Sequence, residues 1–247
     1  MAATSELGGL EPDELAARLA LPKHLVAIEP IQKSATGALW RGRDRRVGRD
    51  IIIKVLTPEC RDRLEAETRA LGRLGDHPNV LSASIVGHGE DGTAWVVTEE
   101  MAETLADAAT GASPADVLTW SAQLASALEH VHANDVIHGD VTPNNVLVGA
   151  DGDARLADFG SARLSGDPQA RVPGGHTPRY AAPERRRGVP ATRASDVHGY
   201  GATVLSVIPG GADGAPRRVR RLLRRCVRVD PDKRPDMSAV VRVMVRR

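Results

Sequence analysis

Aromatic side chains are nearly absent from this 247-residue chain: Trp40, Trp95, Trp120, Phe159, Tyr180 and Tyr200 are all it has. A core must therefore be built from Leu, Val, Ile and Ala, which the 41% hydrophobic content can supply. Cysteine is almost as scarce. Cys60 and Cys226 form no CxxC pair, no metal-ligand spacing and no disulfide framework, which fits a reducing, cytoplasmic compartment. No apolar run reaches the roughly 18 residues that a membrane span needs, and the N-terminus lacks a basic segment followed by an apolar core, so neither span nor signal peptide is expected. The formal charge of +1 leaves no cationic excess for a protein whose main task is wrapping nucleic acid. Lysine is rare as well, 4 against 29 arginines, a coding signature of a GC-rich genome.

What is present changes character near residue 100. Pro12 with Glu11, Asp13 and Glu14 opens a short helix within 10–20, carrying Leu15 and Leu19 on one face. Strands are expected at 25–31, 39–43, 51–56, 84–87 and 94–98, with the Asp91-Gly92 turn between the last two. One helix interrupts them, with Leu64, Leu71 and Leu74 on its buried face and Gly75 after its end. Beyond Thr98 the chain turns mostly helical. Ser113 caps a helix bearing Val117, Leu124, Leu128 and Val131, a hairpin turns at Asp151-Gly152, an irregular stretch runs over 159–190, and helices follow at 196–207, 216–229 and 236–245. Seven arginines fall in 217–228, where Val219, Leu222, Leu223, Cys226 and Val227 keep a helical stripe between them. A solvated basic face on a packed helix is the ordinary reading of that pattern, and docking of an acidic partner the alternative.

The chemistry-bearing residues lie between the long helix and the hairpin. His138-Gly139-Asp140-Val141-Thr142-Pro143-Asn144-Asn145 puts a carboxylate and an amide five residues apart in one loop, and Asp158-Phe159-Gly160 adds a second carboxylate beside a turn. Two hard-oxygen ligands suit Mg²⁺, which keeps substrate phosphates in its shell.

Over 31–235 these motifs resemble the eukaryotic-like (Hanks-type) bacterial serine/threonine protein kinase family. Lys54 closes Ile51-Ile52-Ile53-Lys54 where the family has its strand lysine, Glu67 matches the helix glutamate that pairs with it, and His77-Pro78-Asn79 follows. Thr177-Pro178-Arg179-Tyr180-Ala181-Ala182-Pro183-Glu184 looks like the end of the activation segment, with Asp196 anchoring the catalytic loop and Arg234 pairing with Glu184. The resemblance implies an α+β, bilobal fold: an N-terminal extension with a short helix (1–22), a small β-sheet lobe with one main helix (23–101) and a larger, mostly helical lobe (102–247). It implies ATP and Mg²⁺ as cofactors, and a protein or peptide substrate with a Ser/Thr acceptor, marked by Thr177. Asp140 would be the catalytic base, Lys54 and Glu67 the phosphate-aligning pair, and Asn145 and Asp158 the metal ligands. The nucleotide would lie against Ile31, Ser34, Gly37, Leu39, Ile52, Lys54, Thr98, Glu99, Met101 and Leu147. Regulator, oligomeric state and physiological substrate are not legible in the sequence.

The pattern also breaks. Of three glycines in the family's phosphate-covering loop only Gly37 is kept, with Gln32 and Ser34 in place of the others. Ile52 replaces a small alanine, Thr142 a lysine that clamps the transferring phosphate, and Gly139 the arginine that receives a phosphorylated activation loop. Activity independent of loop phosphorylation is therefore expected. Only 209–216 separates two of the last helices, leaving no room for the family's substrate-docking helix. Two other readings follow from these departures: a pseudokinase that binds ATP as a scaffold, and a small-molecule kinase, whose loop favours His138-Gly139-Asp140.

Overall fold

The computed structural model describes residues 7, 9–34, 37–89, 91–166 and 176–245. The chain divides into two compact units, one of Met1–Leu71 with Ser82–Glu100 and one of Gly72–Leu81 with Met101–Arg247. The first is built on a sheet and the second mostly on helices, the α+β class expected from the sequence.

In the first unit β1 (Leu25–Ser34), β2 (Gly37–Asp44), β3 (Arg49–Leu56), β4 (Ala83–His88) and β5 (Ala94–Glu99) form one antiparallel sheet in the order β1-β2-β3-β5-β4. The strand period of two sends Ile51, Ile53 and Val55 into a core with Trp40, Trp95 and Val97, and turns Ile52 and Lys54 to the other face. The β1–β2 turn passes through 35–36, which lie outside the described residues. At its exit a Cβ on Gly37 would stand 1.9 Å from the Val55 carbonyl oxygen, so only glycine lets the chain pass there. Helix α1 (Pro12–Arg18) starts with a reciprocal Glu11–Glu14 capping box and Pro12 in its first turn. Its Leu15, with Leu19 just beyond, joins the same core. The two buried indoles find their partners in this N-terminal segment: Trp40 donates to the Leu7 carbonyl at 3.2 Å and Trp95 to that of Leu19 at 2.9 Å. Truncating a buried indole costs on the order of 3–5 kcal/mol, so this segment completes the sheet rather than decorating it. On the opposite face Leu64 of α2 (Arg61–Leu74) packs with Leu56, Ala94 and Val96.

The second unit contains β6 (Glu103–Thr104), α3 (Leu105–Ala108), α4 (Pro114–Ala133), β7 (Val136–Ile137), β8 (Val146–Val148), β9 (Ala154–Leu156), β10 (Arg163–Leu164), α5 (Pro183–Arg186), α6 (Arg193–Val207), α7 (Arg217–Cys226) and α8 (Met237–Val245). The Ser113 hydroxyl caps α4 by accepting from the Asp116 amide. That helix buries Val117, Leu124, Leu128 and Val131 against α6, α8 and β9. Strands β6-β8-β9 form one small sheet and β7-β10 another. The short strands β6, β7 and β10 and the short helices α3 and α5 are finer than sequence periodicity resolves. The stretch read as irregular, 159–190, holds β10 and α5, while 167–175 lies outside the described residues. No helix among the described residues is long and apolar enough to cross a membrane.

Candidate active site

Residues opposite one another in an antiparallel ladder share a face, and this groups the candidate residues of the first unit. Leu39 on β2, Lys54 on β3 and Val96 on β5 make one row; Arg41, Ile52 and Thr98 make the next. Four residues expected at the nucleotide, Leu39, Ile52, Lys54 and Thr98, thus stand together on the face that also receives α2. Helix α2 brings Glu67, 5% exposed, to 3.1 Å from Lys54 Nζ. The contact gives this buried side chain a polar partner and fixes the lysine in one orientation. Ile31 falls at a bulge in β1, between Pro30, paired with Trp40, and Gln32, paired with Leu39; it is 46% exposed. Ser34 pairs with Gly37 through the backbone. Glu99 ends β5. Met101 and Leu147 belong to the second unit, where Leu147 pairs with Thr104 and Arg155.

The second unit gathers its own candidate residues around a buried carboxylate. Asp196, in the first turn of α6, is 2% exposed. Its Oδ1 accepts from the Gly139 amide and its Oδ2 from the His138 amide, each at 2.9 Å, and Oδ2 also meets His132 Nε2 at 2.9 Å. Burial would raise this carboxyl, but the hydrogen bond and charge of His132, then the charge of His138 and the Gly139 amide, outweigh it and hold it below its ordinary value. The loop hung from Asp196 is tied at its far side by His138, whose Nε2 meets the Ala157 carbonyl at 3.0 Å and whose ring lies edge-on to Phe159.

Asp140 leaves this loop with both oxygens engaged. Oδ1 accepts from the Thr177 amide at 2.9 Å; Oδ2 accepts from the Thr177 hydroxyl at 3.2 Å and from Asn145 Nδ2 at 3.4 Å. Asn145 Nδ2 also donates to the Asp140 carbonyl at 2.8 Å, which leaves its Oδ1 as the atom able to bind a cation. Asp158 adopts a left-handed backbone, φ 58° and ψ 74°, with a carboxylate oxygen 3.4 Å from the Gly160 amide. A non-glycine residue held there stores strain of a kind that gathers at functional sites. One amide oxygen and one carboxylate are hard donors that fit Mg²⁺, an ion that takes few protein ligands and completes its shell with phosphate and water. No cluster of three or more His, Cys, Asp or Glu forms a metal cage among the described residues.

Two of the sequence departures have a geometric reading. Gly139 has φ +84°, and a Cβ there would come 2.6 Å from the Ser161 carbonyl oxygen. An arginine cannot return to this position without moving Ser161. Thr142 is 2% exposed, and so does not offer its side chain as a stand-in for an exposed cation.

Two residues that the sequence did not flag complete the arrangement. His132 is the third donor on Asp196. Arg185 joins Asp140, Asp196, His176 and Tyr180 around a cavity of about 10 Å³, with its Nε buried and unpartnered. Burial lowers the Arg185 guanidinium below its ordinary value against the opposing charges of Asp196 and Asp140. In the sequence it is one of three consecutive arginines, and nothing there distinguishes it from its neighbours. Arg234, 7% exposed, grips Glu184 through Nη1 at 2.6 Å and Nη2 at 2.9 Å.

The family described as the protein kinase domain matches residues 29–212. Serine/threonine-protein kinase PknK of Mycobacterium bovis is 32% identical over 220 residues, spanning 85% of this chain and 20% of the relative. Serine/threonine-protein kinase PkaA of Streptomyces coelicolor is 30% identical, over 87% of this chain and 48% of the relative. Serine/threonine-protein kinase PknA of Mycobacterium tuberculosis is 29% identical, over 87% and 54%. The chain thus spans between a fifth and about half the length of these relatives.

Proposed function

The chain belongs to the protein kinase domain family, and from that premise we propose that it transfers the γ-phosphoryl group of ATP to Ser/Thr hydroxyls of a protein substrate in the cytoplasm. The observation that carries the reading is Asp140, oriented by Thr177 and Asn145 on a loop suspended from Asp196. The acceptor hydroxyl gives its proton to the Asp140 carboxylate as its oxygen bonds to the γ-phosphorus, and the bond to the bridging β–γ oxygen breaks to leave ADP. Lys54, held by Glu67, aligns the α and β phosphates. Asn145 and Asp158 would hold Mg²⁺, which when bound neutralises charge on the phosphates. The three-part division at 1–22, 23–101 and 102–247 belongs to the same proposal, as do the nucleotide contacts assigned above.

Turnover is slow in this reading, because Thr142 supplies no cation to the transferring phosphoryl; losing one such charge costs on the order of a hundredfold. It is also independent of loop phosphorylation, because Gly139 carries no side chain to receive a phosphate. The test is transfer of label from ATP with Mg²⁺ to a generic protein acceptor, beside Asp140→Asn and Asp158→Asn. Transfer lost in both variants supports the enzyme. ATP binding without transfer would favour a scaffold, and transfer only to small metabolites a small-molecule kinase. A Ser165→Glu variant that switched activity on would sink the phosphorylation-independent part.

A further inference from the structure

The arginines of 217–228 are the feature that phosphoryl transfer leaves unused. Helix α7 turns Val219, Leu222, Leu223 and Cys226 inward, all buried, and its arginines outward. Arg217, Arg221 and Arg224 follow one another at the i, i+4, i+7 spacing of a single helix face, Arg218 and Arg225 form a second row, and Arg228 stands just beyond the helix. Of the seven, Arg220 alone has a carboxylate partner among the described residues, Asp213 at 3.1 Å. All seven arginines, with Leu222 and with Val243 of α8, line an open groove of about 1040 Å³. Six neighbouring cations without counter-charges repel one another, so a ligand that supplied anions would relieve the repulsion as well as gain attraction.

Three kinds of polyanion could do so, and the structure separates them. A membrane surface would gain only charge, because the apolar face of α7 is already buried and has nothing to insert. A nucleic acid presents charge well beyond the patch. With +1 on the whole chain and +7 in this segment, the remaining residues carry a formal −6, which opposes an extended polyanion. A short acidic segment answers only to the groove. From Arg217 to Arg225 the rows run about 12 Å at ~1.5 Å rise per residue, the reach of about four extended residues. We propose that the α7–α8 groove is a docking site for an acidic peptide segment of a partner protein, bound through Glu or Asp carboxylates. The inference stands without phosphoryl transfer and is read without nucleotide.

The test uses the full chain and a fluorescein-labelled hexaglutamate peptide, followed by anisotropy at low and at physiological salt. Charge-reversed Arg221→Glu/Arg224→Glu and the milder Arg221→Gln/Arg224→Gln are compared with Arg45→Glu/Arg46→Glu, an equal change of charge in the first unit, with thermal unfolding recorded for each. Binding to the hexaglutamate peptide but not to its hexaglutamine counterpart, weakened roughly tenfold by the groove reversal, less by the neutral pair and little by the control, supports the site. Equal loss in the control, equal binding of the glutamine peptide, no binding at all, or preference for a short DNA duplex or phosphatidylserine-containing vesicles would each overturn it.

Discussion

Replacing Asp196 with Asn keeps the shape of the side chain and removes its charge. In the native loop the carboxylate accepts three hydrogen bonds, from the Gly139 and His138 amides and from His132. An amide retains one acceptor oxygen. If that oxygen stays on Gly139, the new NH₂ faces the His138 N–H and the His132 ring; the ring can offer its lone pair in return, but the amide cannot. Two charge-assisted bonds at about 1.5–3 kcal/mol each are lost and one neutral bond of about 1 kcal/mol is regained, a net cost of about 2–5 kcal/mol. At roughly 2–4 °C per kcal/mol for a chain of this length, thermal unfolding should fall by roughly 4–20 °C. Activity should fall further than stability accounts for, because the loop that lost its anchor carries Asp140. Circular dichroism melts and ATP-to-protein label transfer at a temperature where the variant is fully folded measure the two effects separately. A melting temperature within a degree or so of the parent, with turnover within about twofold, would refute the anchoring role.

Glu184→Ala removes the carboxylate from the buried Arg234 guanidinium and should cost about 3–5 kcal/mol by urea denaturation; Met at both positions should not recover it, because the carbonyls of Ala194, Arg228 and Val229 then lose their donor. Acid should act through the same carboxylates. Burial would raise Asp196 and Glu184, but hydrogen bonds from His132 and Arg234 hold them below their ordinary 3.8 and 4.5. As pH falls the unfolded chain is therefore protonated first. The stability these groups contribute is complete above about pH 5 and is lost on descending through their folded values, with Asp151, drawn down to about 2 by Arg155, among the last to titrate. A urea midpoint unchanged from neutral pH to about pH 3 would contradict this. The Cys226 thiol is buried and pushed up to about 12, so a thiol reagent should modify Cys60 alone in the native protein and both cysteines in denaturant. Rapid native labelling of Cys226 would show that α7 opens.

Much of this protein follows from local chemistry. Alternating Ile51, Ile53 and Val55 set the buried face of β3 and so put Ile52 and Lys54 on the other side. The Ser113 cap and the apolar period after it define α4, and Asp91-Gly92 turns β4 into β5. The chemical candidates were legible because Asp140, Asn145 and Asp158 are types and spacings that few local structures need. The shortest segments, β6, β7, β10, α3 and α5, were not legible, because a periodic signal needs more than one repeat and β6, β7 and β10 are held by partner strands; the three-residue β8 and β9 were marked by the Asp151-Gly152 turn between them. The role of His132 and the difference between Arg185 and its two arginine neighbours also came only from tertiary structure, because each depends on a carboxylate distant in sequence. The same holds for the groove of α7. Its sequence displays seven cations and an apolar stripe, but only packing of that stripe into the second unit decides that the arginines stand outward, six of them with no carboxylate partner among the described residues.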